Sequence, residues 1–312
     1  MLSEKLRPAQ LTKEAALRDL AAESAAARVA AAEHFALLPS DEAPVIEALK
    51  SCISDHEADV RAAAYRALSA SAQHGASWAA LETLLDALDE ERDTKAKQTV
   101  VLAIGQCLSE DSTANEVEQV VGALTPLLAD ADADLRFQAV NVLGEKAAQH
   151  CANALIESLA DPDAEVRGSA AAALGDIPFP PATAGLLALL SDPCPSTRLE
   201  AAMALVRRGD PRGIKETASF LADNQLCGAA AHTLYRAEPN PTLLAALLAH
   251  QDEAHPLAQP WVGAALVRCG ARDSGERLLR NATRWRRQPE VRALARQLLR
   301  ELAEHADAAI AS

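Results

Sequence analysis

Residues 159–176 read LADPDAEVRGSAAAALGD. The run closes one apolar-periodic segment, turns at Asp161-Pro162-Asp163 and opens another. The pattern recurs. Residues 55–70 read DHEADVRAAAYRALSA, residues 130–145 read DADADLRFQAVNVLGE, and residues 192–207 read DPCPSTRLEAAMALVR. In all four an Asp stands six residues before an Arg, as Asp55 and Arg61, Asp130 and Arg136, Asp161 and Arg167, Asp192 and Arg198. Self-similarity at a near-constant period decides the architecture before any local reading does.

Degenerate copies extend the pattern in both directions. With the Arg as anchor, the series is Arg28, Arg61, Lys97, Arg136, Arg167, Arg198, Cys227, Gln259 and Arg292, with steps of 29 to 39 residues. Three residues after each anchor stand Ala31, Ala64, Val100, Ala139, Ala170, Ala201, Ala230, Val262 and Ala295. Seven residues after it stand Phe35, Leu68, Ile104, Leu143, Leu174, Leu205, Leu234, Leu266 and Leu299. Apolar residues at steps of three and four, among Ala, Leu, Glu and Arg, predict amphipathic helices. The turn Asp is expected to cap the second helix of each unit. Pro162 and Pro193 sit where a helix starts, and Gly144, Gly175, Gly209 and Gly270 where one stops. Each unit is therefore a helical hairpin that cannot bury its apolar face alone, so neighbours must stack.

The Asp-Pro-Asp-x-x-Val-Arg runs and the Ala-rich, Leu-anchored helices after them resemble the HEAT repeat family. They are most similar to its short form, the phycobilisome-lyase HEAT-like repeat. The resemblance covers roughly residues 12 to 305. It implies an all-α fold, a right-handed α-solenoid of about nine hairpins. Residues 1–40 would form an N-terminal cap repeat, 41–270 the central repeats and 271–312 a basic C-terminal cap repeat. Adaptors, scaffolds, lyase subunits and some enzymes share such repeats, so the fold implies no single activity.

Composition narrows the classes. Aromatics make up 3% of the chain, so the core is Ala, Leu and Val with helices packed closely, and the net charge of −14 disfavours a general nucleic-acid binder. The six cysteines have no metal-type spacing and read as reduced thiols of a cytoplasmic protein. The opening MLSEKLRPAQ has no apolar signal region, and no run approaches the roughly 18 apolar residues of a membrane span. Charge is uneven, since residues 268–300 hold ten Arg against three acids. Arg280, Arg284, Arg286, Arg287, Arg292, Arg296 and Arg300 form a basic end that either steers an acidic partner or is a solvated face.

Tests for chemistry find little. The Asp/Arg ladder would serve as an anion-binding row or as inter-repeat bonding, and its fixed offset favours bonding. His250 and His255 flank Asp252 and Glu253, but not at the helical spacing of a zinc motif. No catalytic, cofactor or metal residue is nominated. Partner binding has the better case. At 100° per residue, positions one and five after the anchor lie opposite the buried stripe. They and their neighbours present Leu102, Phe137, Asn141, Leu199, Met203, His232 and Trp261, several of them apolar, on what would be the concave side. Phe137 and Met203 are the expected anchors. The expected function is a non-enzymatic protein-interaction scaffold, in a narrower form an accessory or maturation factor for a client enzyme. The alternatives are a subunit of a phycobilisome-lyase-like enzyme acting on a protein-bound cofactor, which the resemblance implies, and a nucleic-acid-binding HEAT protein.

Overall fold

The computed structural model describes residues 12–73, 77–109, 111–284 and 288–311. Among them every regular element is helical. The chain divides into two compact units, Met1–Cys151 and Ala152–Ser312.

Among the described residues the first unit holds four hairpins: α1 (Lys13–Asp19) with α2 (Ala25–Leu37), α3 (Ala43–Cys52) with α4 (Ala58–Ser71), α5 (Ser77–Glu90) with α6 (Thr94–Cys107), and α7 (Ala114–Leu124) with α8 (Ala133–Ala147). The second holds five: α9 (Ala152–Ser158) with α10 (Ala164–Gly175), α11 (Ala182–Leu189) with α12 (Pro195–Arg207), α13 (Arg212–Ser219) with α14 (Cys227–Arg236), α15 (Pro241–His250) with α16 (Gln259–Arg268), and α17 (Arg272–Ala282) with α18 (Pro289–Ala311). Within each unit the second helices pack directly on one another, α2 on α4 on α6 on α8, and α10 on α12 on α14 on α16 on α18.

Burial follows the anchor register. All nine residues three after an anchor, from Ala31 to Ala295, are 0% exposed. Seven after it, Phe35 is 1% exposed, Leu68, Ile104, Leu143, Leu174, Leu205, Leu234 and Leu266 are 0% exposed, and Leu299 is half-buried. Small residues on one row and large ones on the next let the hairpins close tightly. Leu143→Ala and Leu174→Ala are each expected to cost about 2–5 kcal/mol, the range for a core truncation. Urea denaturation checks this, and losses under about 0.5 kcal/mol for both would show that the row is not core.

Gly209 and Gly270 stop α12 and α16 in the left-handed conformation, with φ of 75° and 88°. The other two expected stops act differently. Gly144 lies inside α8, and Gly175 ends α10 where a Cβ would meet the Ala204 backbone at 2.8 Å.

Arg167 shows how one repeat is joined to the next. Its Nη1 donates to its own turn, to the carbonyls of Asp161 at 2.8 Å and Pro162 at 3.0 Å. Its Nε and Nη2 donate to both carboxylate oxygens of Asp192 in the following turn, at 2.8 and 2.9 Å. Asp192 Oδ1 also accepts the Cys194 N–H at 2.8 Å. Here the six-residue offset links Arg167 to the main chain of its own Asp161, while the Asp192 carboxylate serves the Arg of the repeat before. Arg28 does the same with the carbonyls of Ala22 and Glu23 and the carboxylate of Asp55. Arg61 does so with the carbonyls of Asp55 and His56 and the carboxylate of Glu91. Arg136 holds the carbonyls of Asp130 and Ala131. Arg198 holds those of Asp192 and Pro193, then reaches Glu216 at 3.4 Å and the Phe220 ring at 5.8 Å. Where the anchor is Cys227, its Sγ lies 3.5 Å from Nδ1 of His255 in the next turn. The joint survives the loss of its arginine in a softer form.

The expected capping role of the turn Asp is corrected by this geometry. Asp130 and Asp161 accept the N–H of Asp132 and Asp163 and close the turn. The helix cap falls two residues later, on Asp132 and Asp163, whose side chains accept first-turn N–H groups. Asp163→Ala is expected to cost about 1 kcal/mol by loss of the cap. A thermal melt unchanged from wild type would contradict it.

Candidate functional site

Residues on the face of the second helices turned away from the buried stripe can meet a partner. Leu102 on α6 is 44% exposed and lines a cavity of about 540 Å³ with Gln106, Val142 and Glu145. On α8, Phe137 is half-buried and Asn141 exposed. These three belong to the first unit. In the second unit His232 is exposed and Trp261 half-buried, their rings in edge contact at 5.1 Å and 80°. Tyr235 stacks obliquely on the same Trp261 at 5.0 Å, and the Arg268 guanidinium lies 5.3 Å from the Tyr235 ring centre.

Two expected members of this face are not on it. Leu199 is 2% exposed and Met203 6%, both in the core cluster with Ile214, Phe220, Leu221 and Leu234. The 29-residue step from Arg198 to Cys227 is the shortest in the series. α13 packs so close to α12 that a Cβ on Gly213 would meet the Ala202 carbonyl at 2.3 Å. The row is not open throughout, since Ala264, five after Gln259, is likewise 0% exposed.

Of the basic end, Arg280, Arg284, Arg296 and Arg300 are exposed and Arg292 half-buried. Arg280 pairs with Glu276, which also takes Arg272 at 2.8 Å. Arg286 and Arg287 lie outside the described residues. The histidines weighed as ligands are engaged otherwise: His250 Nδ1 bonds the Ala246 carbonyl at 2.9 Å, and His255 Nδ1 faces Cys227 and the Leu257 N–H. No group of three metal-ligating side chains occurs among the described residues.

The sequence reading missed a second cavity. It has a volume of about 590 Å³ and lies at the C-terminal ends of α10, α12 and α14. Asp176, Arg207, His232, Thr233 and Arg236 line it. A signal for it existed. Nine residues after four consecutive anchors stand Asp176, Arg207, Arg236 and Arg268, half a turn from the buried rows. Arg207 pairs with Asp176 at 2.8 Å and bonds the Ala172 carbonyl at 3.1 Å. Arg268 bonds the Tyr235 carbonyl. Arg236 is exposed, and no other group among the described residues holds it.

The family model for HEAT repeats matches residues 121–192 and, in a second register, 152–234. HEAT repeats are thus matched between residues 121 and 234. The fold is similar to that of the Escherichia coli protein YibA, with a TM-score of 0.63, 16% identity, and coverage of 84% of this chain and 93% of that one. The complex of CpcE and CpcF of phycocyanin lyase from Nostoc sp. PCC7120 aligns at a TM-score of 0.46 and 17% identity, over 81% of this chain and 98% of that one. No curated protein matches the sequence. Among the described residues no helix is long and apolar enough to cross a membrane.

Proposed function

We propose that the chain is a non-enzymatic protein-interaction scaffold that holds a client protein on the open face of its second helices. The observation that carries this reading is the cluster of His232, Tyr235 and Trp261 beside the cavity of the second unit. Aromatic side chains supply large, rigid contact area, and interface energy concentrates in a few of them. In a chain with only 3% Phe, Trp and Tyr, the contact of Tyr235 with Trp261 gathers two of them on neighbouring second helices. Leu102 in the first unit adds an exposed apolar side chain on the equivalent face.

The test is capture of the client on the immobilised chain, followed by calorimetric titration with the captured protein. His232→Glu and Leu102→Asp replace exposed side chains and should leave the melting temperature within a few degrees of wild type. His232→Glu is expected to weaken binding about tenfold or more, or about 1.4 kcal/mol. Unchanged affinity in both variants would move the docking face elsewhere, with Arg280 to Arg300 as the next surface to probe.

A further inference from the structure

We infer that the outer face of α2 is a docking surface for a second copy of this chain, with the first repeats of two copies meeting about a two-fold axis. The way second helices stack fixes which face this is. A second helix turns the positions one before its anchor and two, six and nine after it towards the repeat before. On α12, Thr197 Oγ1 donates to the Ala164 carbonyl at 2.9 Å, and Arg207 bonds the Ala172 carbonyl. A Cβ on Gly168 would lie 3.8 Å from Glu200, and one on Gly175 would lie 2.8 Å from Ala204. Val142 of α8 fills the same place against Gly105 of α6. On α2 these positions are Ala27, Ala30, His34 and Leu37, and among the described residues no repeat precedes them. Ala30 is exposed, Leu37 is 81% exposed, and Leu38 beside it 61%. By contrast Ala67 and Ala103, six after their own anchors, are 0% and 1% exposed.

Charge selects the occupant. The face holds no Asp, Glu, Lys or Arg, although the net charge of the chain is −14. The ionic groups of α2 are taken by the next repeat, Arg28 by Asp55 and Glu33 by Arg66 at 3.4 Å. A second copy can therefore lay the same face against it without like charges meeting. Alongside on α1, Glu14 and Arg18 are exposed one turn apart with opposite signs, a rim that a two-fold axis makes self-complementary. The last repeat is built differently. Second helices turn the positions one, five and eight after the anchor towards the following repeat, as Gly168 and Gly175 show. On α18 these are Ala293, Gln297 and Arg300, all exposed, with Gln297 bonded to Glu301 at 2.8 Å. That is the polar outer face that closes a repeat array, and α2 lacks it. An apolar end does not fit a polar one, so like ends meet and the assembly closes at two copies.

The test is sedimentation velocity on the full chain at micromolar concentrations. Wild type should sediment as a dimer. The dimer should hold or tighten as salt rises, because screening removes repulsion between two chains of charge −14. Leu37→Glu should weaken association about tenfold or more. Its circular dichroism and melting temperature, measured on the monomer, should stay near wild type, since the residue is exposed. Leu37→Glu and Leu37→Lys chains, mixed, should recover a dimer that neither forms alone. Arg300→Gln, on the polar face, should leave the dimer intact. A wild type that stays monomeric overturns the inference. If its melting temperature also falls in Leu37→Glu, a segment of the same chain is the occupant instead. Undiminished dimerisation by Leu37→Glu, or loss of the dimer in Arg300→Gln, puts the interface elsewhere. A dimer that dissociates as salt rises is ionic and rejects the apolar face.

Discussion

Met203→Asp is expected to destabilise the second unit by roughly 3–5 kcal/mol, the cost of leaving a charge buried without a partner. The side chain is 6% exposed and lies among Leu199, Val206, Ile214 and Leu234. None of these can stabilise a carboxylate, so the group must either take up a proton or drag water into the core. Met203→Leu keeps the volume and should cost under about 1.5 kcal/mol. Urea denaturation of the two variants, followed by circular dichroism, separates the cases. A Met203→Asp chain as stable as wild type would put residue 203 on the surface.

Glu91→Ala should cost a comparable amount, about 3–5 kcal/mol, because it strips several donors of one acceptor. The Glu91 side chain is 1% exposed. It receives Nε and Nη2 of Arg61 at 2.8 and 2.7 Å, the Tyr65 hydroxyl at 2.8 Å, and the N–H groups of Arg92 and Asp93 at 2.9 Å each. Burial pushes its carboxyl up, but the bonds from Arg61, the Asp93 N–H and Tyr65 outweigh that and hold it at about 2 against an ordinary 4.5. The folded value is depressed, so the stabilisation is complete above pH 4.5 and disappears as the pH falls towards about 2. Asp55 and Asp192 are depressed in the same direction, each chiefly by its arginine. Melting temperature should therefore drop steeply through this acid window in the wild type. Glu91→Gln should start lower and fall less steeply. Parallel curves would show that the Arg61 joint contributes nothing to acid sensitivity.

Which features could be read from the sequence follows from what each depends on. The rows three and seven after the anchor depend on one helix and its hairpin partner, which every repeat supplies alike, so Ala170 and Leu174 were legible as core. The Asp/Arg joints were legible as pairs, but not the crossing in which Arg167 bonds the Asp161 main chain and the Asp192 side chain. Periodicity alone does not separate a carbonyl from a carboxylate. Positions one and five after the anchor depend on how closely the next repeat approaches. Leu102 and His232 are open there, and Met203 and Ala264 are shut. The cavity donor Arg236 stands nine after its anchor, one turn beyond His232 on the same face, in a row that the apolar pattern does not mark.

The joint also sets where the chain tolerates added length. Steps between anchors range from 29 to 39 residues, while the stretch from turn to Arg holds at six in the four plainest copies. An arginine must reach two carbonyls behind it and a carboxylate ahead of it, so one residue inserted between Asp161 and Arg167 would swing the guanidinium about 100° around α10 and lose both. A tag or protease site placed between α6 and α7, near Ser112, displaces no such reach. Loop grafting in this chain is therefore constrained by the arginine's own turn rather than by repeat length.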